Sequence, residues 1–306
     1  MPNQVAEIDV TVVGGGVAGL QAAVTLGRAC RRVAVFDDGR PRNRTAHRVN
    51  NFLPLVDRSP GDVITAGADM LRRYPVQVFR STVDSAEPDG HRGFVVRAGG
   101  SSVRSRAVVL ATGVVDHPPA VPGLTDLWGT RVVACPHCHG WEVRSQPLAQ
   151  LSFADDPEQG VARAVLLSRW SDSVTFLANR DDLAPSLRDR PAVAGVRIRF
   201  GAVTAVTAQD PNGVMVHVAG APRESFAALF TAVRQTARSP LARMLGCRVR
   251  AATGIAEVDR TGRTSVPGVC VAGSAADPAL LAIGAAGHAG TVATRVHADL
   301  LEQELA

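Results

Sequence analysis

Residues 14–19 read Gly14-Gly15-Gly16-Val17-Ala18-Gly19, between the β-branched run Ile8-Asp9-Val10-Thr11-Val12-Val13 and an Ala/Leu-rich stretch from Leu20 to Ala29. A second apolar run, Arg32-Val33-Ala34-Val35-Phe36-Asp37, closes a strand–helix–strand unit of about 30 residues. Glycines at 14, 16 and 19 permit a tight turn and bring backbone N–H groups close to a pyrophosphate. The helix N-terminus beginning at Val17 and Ala18 adds its partial positive charge. Asp37 lies 18 residues after Gly19, the distance at which an acid accepts from a ribose hydroxyl. A merely structural glycine turn is the competing reading, but strand, helix, second strand and acid are all present.

The chain is long enough for two domains at 306 residues. Hydrophobic residues make up 46% and aromatics only 4%, so the core must be built from Ala, Val and Leu, which suits α/β layers. Runs at 76–79, 94–97 and 107–110, separated by Asp89-Gly90 and Gly99-Gly100, predict a small β meander. Ala111-Thr112-Gly113 then ends a strand, and the proline-rich segment 117–123 reads as a linker. Beyond it, residues 164–177 repeat a helix-then-strand pattern, 196–200 predict another strand, 266–273 predict a strand entering a turn, and 282–301 predict a helix.

The 33 basic residues are all arginine, interleaved with 28 acids and not arrayed with stacking aromatics. A net charge of +5 therefore gives no support to nucleic-acid binding. An uninterrupted apolar run of about 18 residues, as a membrane span needs, is not found. The stretch from Val10 to Leu26 follows Glu7 and Asp9 rather than a basic segment, so it does not read as a signal peptide. These features lead us to expect a cytoplasmic protein with neither a nucleic-acid nor a membrane partner.

Of five cysteines, only Cys135 and Cys138 are close, in Ala134-Cys135-Pro136-His137-Cys138-His139-Gly140. Thiols three positions apart at a helix start can close a disulfide within one turn, and a helix N-terminus favours the thiolate that exchanges. A zinc half-site and a pair of inert thiols are the other readings. Zinc needs about four ligands, and no second Cys/His pair of suitable spacing appears, so no metal is expected. Cys30, Cys247 and Cys270 read as small core residues, and Trp141 reads as a packing residue.

Together, VVGGGVAGLQAA at the N-terminus, VVLATG at 108–113, CPHCHG at 135–140 and PGVCVAG at 267–273 resemble the low-molecular-weight thioredoxin reductase family of flavoproteins. The order and spacing of these motifs cover nearly the whole chain. The resemblance implies two Rossmann-like three-layer α/β domains with a small meander. The FAD-binding domain would be discontinuous, formed by residues 1–117 and 241–306, and a second domain over 118–240 would carry the CxxC. It also implies a homodimer, with Cys138 nearer the flavin and Cys135 attacking substrate. Carried over by position, FAD contacts are expected from Gly14, Gly16, Val17, Ala18, Gly19, Asp37, Arg42, Asn43, His47, Asn51, Val83, Ala111, Thr112, Gly113, Gly273 and Ser274. Ser274 stands where relatives commonly have an Asp, and Leu281 where they tend to offer an amide.

Two departures narrow the resemblance. The family's reductases have an Asp after the second cysteine where this chain has His139, and Asp38-Gly39-Arg40-Pro41-Arg42-Asn43 replaces their Gly-Gly-Gln loop. Both features resemble the dithiol-oxidase branch, which closes disulfides in compounds such as gliotoxin and holomycin. A reductase also needs a second glycine-rich loop for NADPH near residue 153. Here the sequence is Leu151-Ser152-Phe153-Ala154-Asp155-Asp156-Pro157, and the segment after Leu177 is Ala178-Asn179-Arg180-Asp181-Asp182. Like charges about 4 Å apart repel by roughly 1–4 kcal/mol at surface dielectrics, so NADPH binding is not expected.

The sequence thus predicts an FAD-dependent dithiol oxidase that acts on a small-molecule or peptide dithiol with O2 as acceptor. His139 would move protons, with His137 and His117 as further candidates. A disulfide reductase fed by NADPH or another donor is the alternative within the same chemistry, and a non-catalytic flavin-binding protein the alternative outside it.

Overall fold

The β-branched run at the start forms a strand whose residues 8–13 are all buried, as expected for a parallel strand covered on both faces. The structure, a computed structural model, describes residues 7–55, 57–90, 93–209, 211 and 213–306. In chain order the first elements are β1 (Glu7–Val13), α1 (Val17–Arg28), β2 (Val33–Phe36), α2 (Pro60–Leu71), β3 (Val76–Phe79), β4 (Val83–Pro88), β5 (Phe94–Ala98) and β6 (Ser101–Leu110). The strand β7 (Val114–His117) carries the chain onward to β8 (Val132–Val133), α3 (Pro136–His139), β9 (Leu148–Leu151), α4 (Pro157–Leu167), β10 (Val174–Leu177), α5 (Pro185–Val193) and β11 (Arg197–Arg199). Then come β12 (Val203–Gln209), β13 (Gly213–Val218), β14 (Glu224–Phe226) and β15 (Ala228–Thr231). The strand β16 (Arg234–Ala237) returns the chain to α6 (Leu241–Met244), β17 (Val269–Val271) and α7 (Ala282–Leu305).

Two compact units result. One contains the chain up to Arg44, Phe52–Val115 and Gln235–Ala306; the other contains Thr45–Asn51 and Asp116–Arg234. Residues 45–51, expected with the first segment, group with the second unit because Thr45 packs closely on Gly129 and Asn50 bonds to the backbone of Cys138.

In the first unit, β3, β2, β1, β6 and β17 form a parallel sheet. The early half of β6 pairs antiparallel with β5, and β5 with β4. One core layer is made by α1 and α7 against the sheet, from residues including Val10, Val12, Leu26, Val33, Val109, Val292 and Leu300. A second lies under the meander and the segment around residues 241–276. Small side chains let the two helices approach closely: Ala22, Ala23, Ala289 and Ala293 are each fully buried.

The second unit repeats this plan with fewer residues. Its parallel sheet runs β11-β10-β9-β15-β8, and β12-β13-β14 form a separate antiparallel sheet. Sheet β9–β10 with α4 between them corresponds to β1–β2 with α1 between them. The strands are apolar and buried, β10 on all four residues. Among the described residues, no helix is long and apolar enough to cross a membrane.

Two sequence expectations change in detail. The run at 76–79 is not part of the meander: as β3 it pairs in parallel with β2 at the sheet edge. The third meander strand is β4, Val-Asp-Ser-Ala-Glu-Pro, whose composition carries little β signal and whose pairing is supplied by β5. Helix α2 also goes unsignalled by periodicity, although Ser59 and Asp62 form a capping box with Pro60 at the first helical position.

Leu26, fully buried between α1 and the sheet, sets a stability test. Leu26→Ala is expected to cost about 2–5 kcal/mol in denaturant unfolding, whereas Leu305→Ala, at an exposed chain end, should stay within about 0.5 kcal/mol of the parent.

Candidate functional site

In the first unit, the glycine loop is shaped by two close approaches. Gly14 has φ +108°, and a Cβ there would lie 2.3 Å from the Ala111 carbonyl oxygen. A Cβ on Gly19 would lie 1.7 Å from the Gly14 carbonyl oxygen. Helix α1 is thereby drawn hard against the end of β1. Gly16 is different. It caps α1 without any side-chain bond, the first turn holds no acid, and a Cβ on it would meet nothing within 4 Å. The unpaired N–H groups at Val17 and Ala18 thus lead into open space, as a bound pyrophosphate requires. Asp37 is buried at the end of β2, where its Oδ1 accepts from the Gly15 N–H at 3.1 Å and its Oδ2 pairs with Arg80. A carboxylate has about four lone-pair sites, so these bonds orient Asp37 and leave capacity for a ribose hydroxyl.

The C-terminal segment returns beside this loop. Gly273, in the left-handed region, sits so close to α1 that a Cβ would lie 2.5 Å from the Ala18 Cβ. Its N–H donates to His288 Nδ1 at 3.2 Å, which fixes that ring's proton on Nε2. Burial pushes His288 below the usual histidine range, partly opposed by Asp277. Arg42 donates to Ser274 Oγ and to the Pro278 carbonyl, so Arg42, Gly273 and Ser274 are brought together. Asn43 is half-buried in the same turn. Leu281 caps α7 with extended backbone and offers no side-chain bond. Ala111 is bonded to β1 through its N–H to the Val13 carbonyl, and Thr112 and Gly113 follow it half-buried. Val83 instead packs into the apolar layer under the meander. The residues present fit a dinucleotide: the cradle is open where Gly16 faces it and rigid where Gly14 and Gly19 define it. His288 is the member of this group that sequence reasoning missed; its signal was a histidine in the Ala/Gly-rich first half of α7.

In the second unit, Cys135 and Cys138 form a disulfide across 5.3 Å between Cα atoms. Cys135 caps the single turn α3, Pro136 occupies its first position, and the Cys138 N–H bonds to the Cys135 carbonyl. One turn of helix supplies little dipole, so the helix-start argument for thiol activation is weaker than the sequence implied. Both cysteines are half-buried. Asn50 Nδ2 donates to the Cys138 carbonyl at 2.9 Å, a contact from residues 45–51 that no motif announced.

His139 is half-buried beside them, and its Nδ1 is shut off from solvent with no hydrogen-bond partner in the structure. Burial holds its pKa below the ordinary 6.5, against smaller opposing effects from the Cys135 backbone and Glu142. The ring is therefore neutral at pH 7 and able to accept a proton. His137 is exposed, with its ring centroid 5.5 Å from that of Trp170 in an edge-to-face arrangement, and His117 is exposed on β7. Trp141 is not a packing residue: it is 65% exposed, with the Arg144 guanidinium 3.8 Å over its ring, and Trp170 fills the interior place instead, against Gly140. Cys30 is likewise exposed rather than core, while Cys247 and Cys270 are buried. His47 and Asn51 are exposed in the 45–51 segment, grouped with the disulfide unit and not with the glycine loop. Among the described residues, no group of three His, Cys, Asp or Glu side chains could hold a metal ion.

Comparison with known proteins agrees with this geometry. The family model for pyridine nucleotide-disulphide oxidoreductases matches residues 8–290. Thioredoxin reductase sirT of Leptosphaeria maculans is 28% identical over 291 residues, covering 88% of this chain and 87% of that protein. Thioredoxin reductase tcpT of Claviceps purpurea is 28% identical over 260 residues, covering 82% and 77%. The crystal structure of HlmI superposes with a TM-score of 0.91 at 33% identity, covering 98% of this chain and 94% of that one.

The cradle yields a paired prediction. Gly16→Ala should fold with near-parental stability but lose FAD on gel filtration, because its Cβ enters the open space. Gly19→Ala should lower stability by about 2–4 kcal/mol, because its Cβ has nowhere to go. Thermal melts and the 450 nm absorbance of the purified variants check both.

Proposed function

We propose that this chain, which belongs to the pyridine nucleotide-disulphide oxidoreductase family, is an FAD-dependent dithiol oxidase that closes a disulfide in a small-molecule or peptide dithiol. The observation that carries the reading is the state of the second unit's own dinucleotide loop. Residues 152–156 connect β9 to α4 as residues 14–16 connect β1 to α1, and the close helix approach is kept: a Cβ on Gly160 would lie 2.3 Å from the Ser152 Cβ. Where the first unit leaves its helix end bare, here Asp156 caps α4 by accepting from the Gln159 N–H, and Pro157 removes a donor. Asp155 accepts from Arg234 at 2.7 and 2.8 Å, and the same guanidinium lies 4.2 Å over the Phe153 ring. The Arg234 bond holds the Asp155 carboxyl below the usual range, so it is anionic. Beyond β10, Arg180 is spent on the Ala154 carbonyl and Arg188 on Asp182. A nicotinamide dinucleotide phosphate would meet two carboxylates and cations already engaged, which favours electrons entering from the dithiol.

The chemistry follows from the disulfide. A substrate thiolate attacks the Cys135 sulfur, breaking the Cys135–Cys138 bond and forming a mixed disulfide. The second substrate thiol, deprotonated, attacks the substrate sulfur of that bond and leaves as the cyclic or intramolecular disulfide. Two electrons have then passed to the protein cysteines, and two protons must be held or released. Neutral His139 is suited to accept one of them and return it to a leaving thiolate. When bound, FAD supplies the two-electron acceptor for the cysteine pair and the means of passing those electrons to O2. Gly14, Gly16, Gly19, Asp37 and the Arg42–Ser274 turn would hold it.

The test is anaerobic mixing with excess dithiothreitol followed by air. Flavin that bleaches and then recovers with peroxide release fits the reading; flavin that stays oxidised, or bleaches at micromolar NADPH, overturns it in favour of an inert flavoprotein or a reductase respectively. His139→Ala should slow dithiol oxidation by about 10²-fold at unchanged FAD content, and His137→Ala should cost less, since His137 faces solvent. The sign of the pH effect is set by burial. The base form of His139 persists below pH 6.5, so the rate should fall only at more acid pH as the ring is protonated, and stopped-flow profiles of His139→Ala should lack that acid limb.

A further inference from the structure

The half-buried Arg163 on α4 is a cation beside the disulfide segment that the proposed chemistry has not used. Its Nη2 donates to the Ala134 carbonyl, one peptide bond before Cys135. Its Nε is buried with no hydrogen-bond partner. Around it, Val161, Ala164 and Leu167 of α4 are buried against the sheet, so the guanidinium sits at the edge of an apolar layer. Desolvation lowers its pKa, and no carboxylate contributes an opposing effect. A buried cation is normally paired, because leaving it unpaired forfeits its hydration without return. Among the described residues, no carboxylate acts on Arg163 while the disulfide is closed.

We propose that Arg163 is a positioning residue for the reduced centre, holding its guanidinium beside Cys135 so that the thiolate formed when the disulfide opens is its counter-ion. The inference rests on the reading of Cys135–Cys138 as a pair that opens and closes. Opening by a substrate dithiol breaks the protein S–S bond and makes the substrate one. It leaves a Cys135 thiolate and a Cys138 thiol on the protein and one proton released, so two electrons have moved and charge is balanced by the new anion and the proton. A cation hydrogen-bonded to the carbonyl that precedes Cys135 favours that anion, and the single turn of α3 is too short to do so alone. Arg163 thus tilts the pair toward the open form without touching substrate.

The experiment isolates Cys135. In a Cys138→Ser background, iodoacetamide alkylation of the Cys135 peptide, followed by mass spectrometry across pH 5–10, reports the thiolate midpoint without any flavin turnover. With Arg163 present the midpoint should lie well below the free-cysteine value of about 8.5. Arg163→Met should raise it by about one pH unit, a roughly tenfold loss of thiolate below the midpoint. Arg163→Gln can still donate to the Ala134 carbonyl but carries no charge, and it should keep the parental melting temperature with the raised midpoint. Arg163→Lys should restore most of the shift. A parental midpoint at or above 8.5, or a folded Arg163→Gln protein with the parental midpoint, overturns the proposal, and the first of these is decisive even if the uncharged variants do not fold. A depressed, charge-dependent midpoint in a protein whose flavin ignores dithiothreitol would instead leave Arg163 in place and remove the oxidase reading.

Discussion

The contact between the first turn of α1 and the loop before it governs the first unit. With Gly19 against the Gly14 carbonyl and Gly14 against Ala111, α1 begins at the end of β1, and among the described residues nothing lies within 4 Å of where a Gly16 Cβ would be. Asp37 is tied to the same loop through the Gly15 N–H, so the end of β2 and the turn after β1 move as one piece. The Gly273 turn closes on Ala18 from the other side, which is why a segment more than 200 residues distant belongs to the same site. A backbone cradle of this kind costs conformational freedom in three glycines, and the parallel sheet buried on both sides supplies the rigidity that offsets it.

The second unit shows how one scaffold can carry two different loops. It repeats the parallel sheet, the strand–helix–strand turn and the close helix approach through Gly160, yet its helix end is capped by Asp156 and its loop is bound up with Arg234. The same fold presents an open anion site in one unit and a closed, negatively charged surface in the other. The difference between the units lies in loop residues laid over a common framework.

Around the disulfide the notable property is burial that leaves one nitrogen of His139 and one of Arg163 unbonded. The half-buried His139 is kept neutral because its environment penalises the charged form, and the Arg163 guanidinium is desolvated with its Nε unsatisfied. Buried polar groups are normally bonded in full, and His139 Nδ1 and Arg163 Nε are exceptions to that rule at this segment. Asn50 adds a fixed point by holding the Cys138 carbonyl. The exposed Trp141 with Arg144 stacked over it gives the same unit an aromatic surface three residues from Cys138.

The glycine loop, Asp37, the CxxC and the missing second glycine loop were all legible in the sequence, because each is a local pattern: its spacing alone constrains the backbone or the chemistry. β4 was not legible, since Val-Asp-Ser-Ala-Glu-Pro becomes a strand only when β5 offers hydrogen bonds. Nor was the place of β3, since an apolar run of four residues carries no information about its neighbour. His288, Asn50 and Arg163 escaped for the same reason: each acquires its partner from a residue 15, 88 or 29 positions away, through a backbone atom that no side-chain pattern marks. Sequence by itself determined which short segments can hold a dinucleotide or close a disulfide, because those demands are met within one turn. Only the tertiary structure decided which side chains are buried beside them, and burial is what sets the charge and the proton affinity on which the chemistry depends.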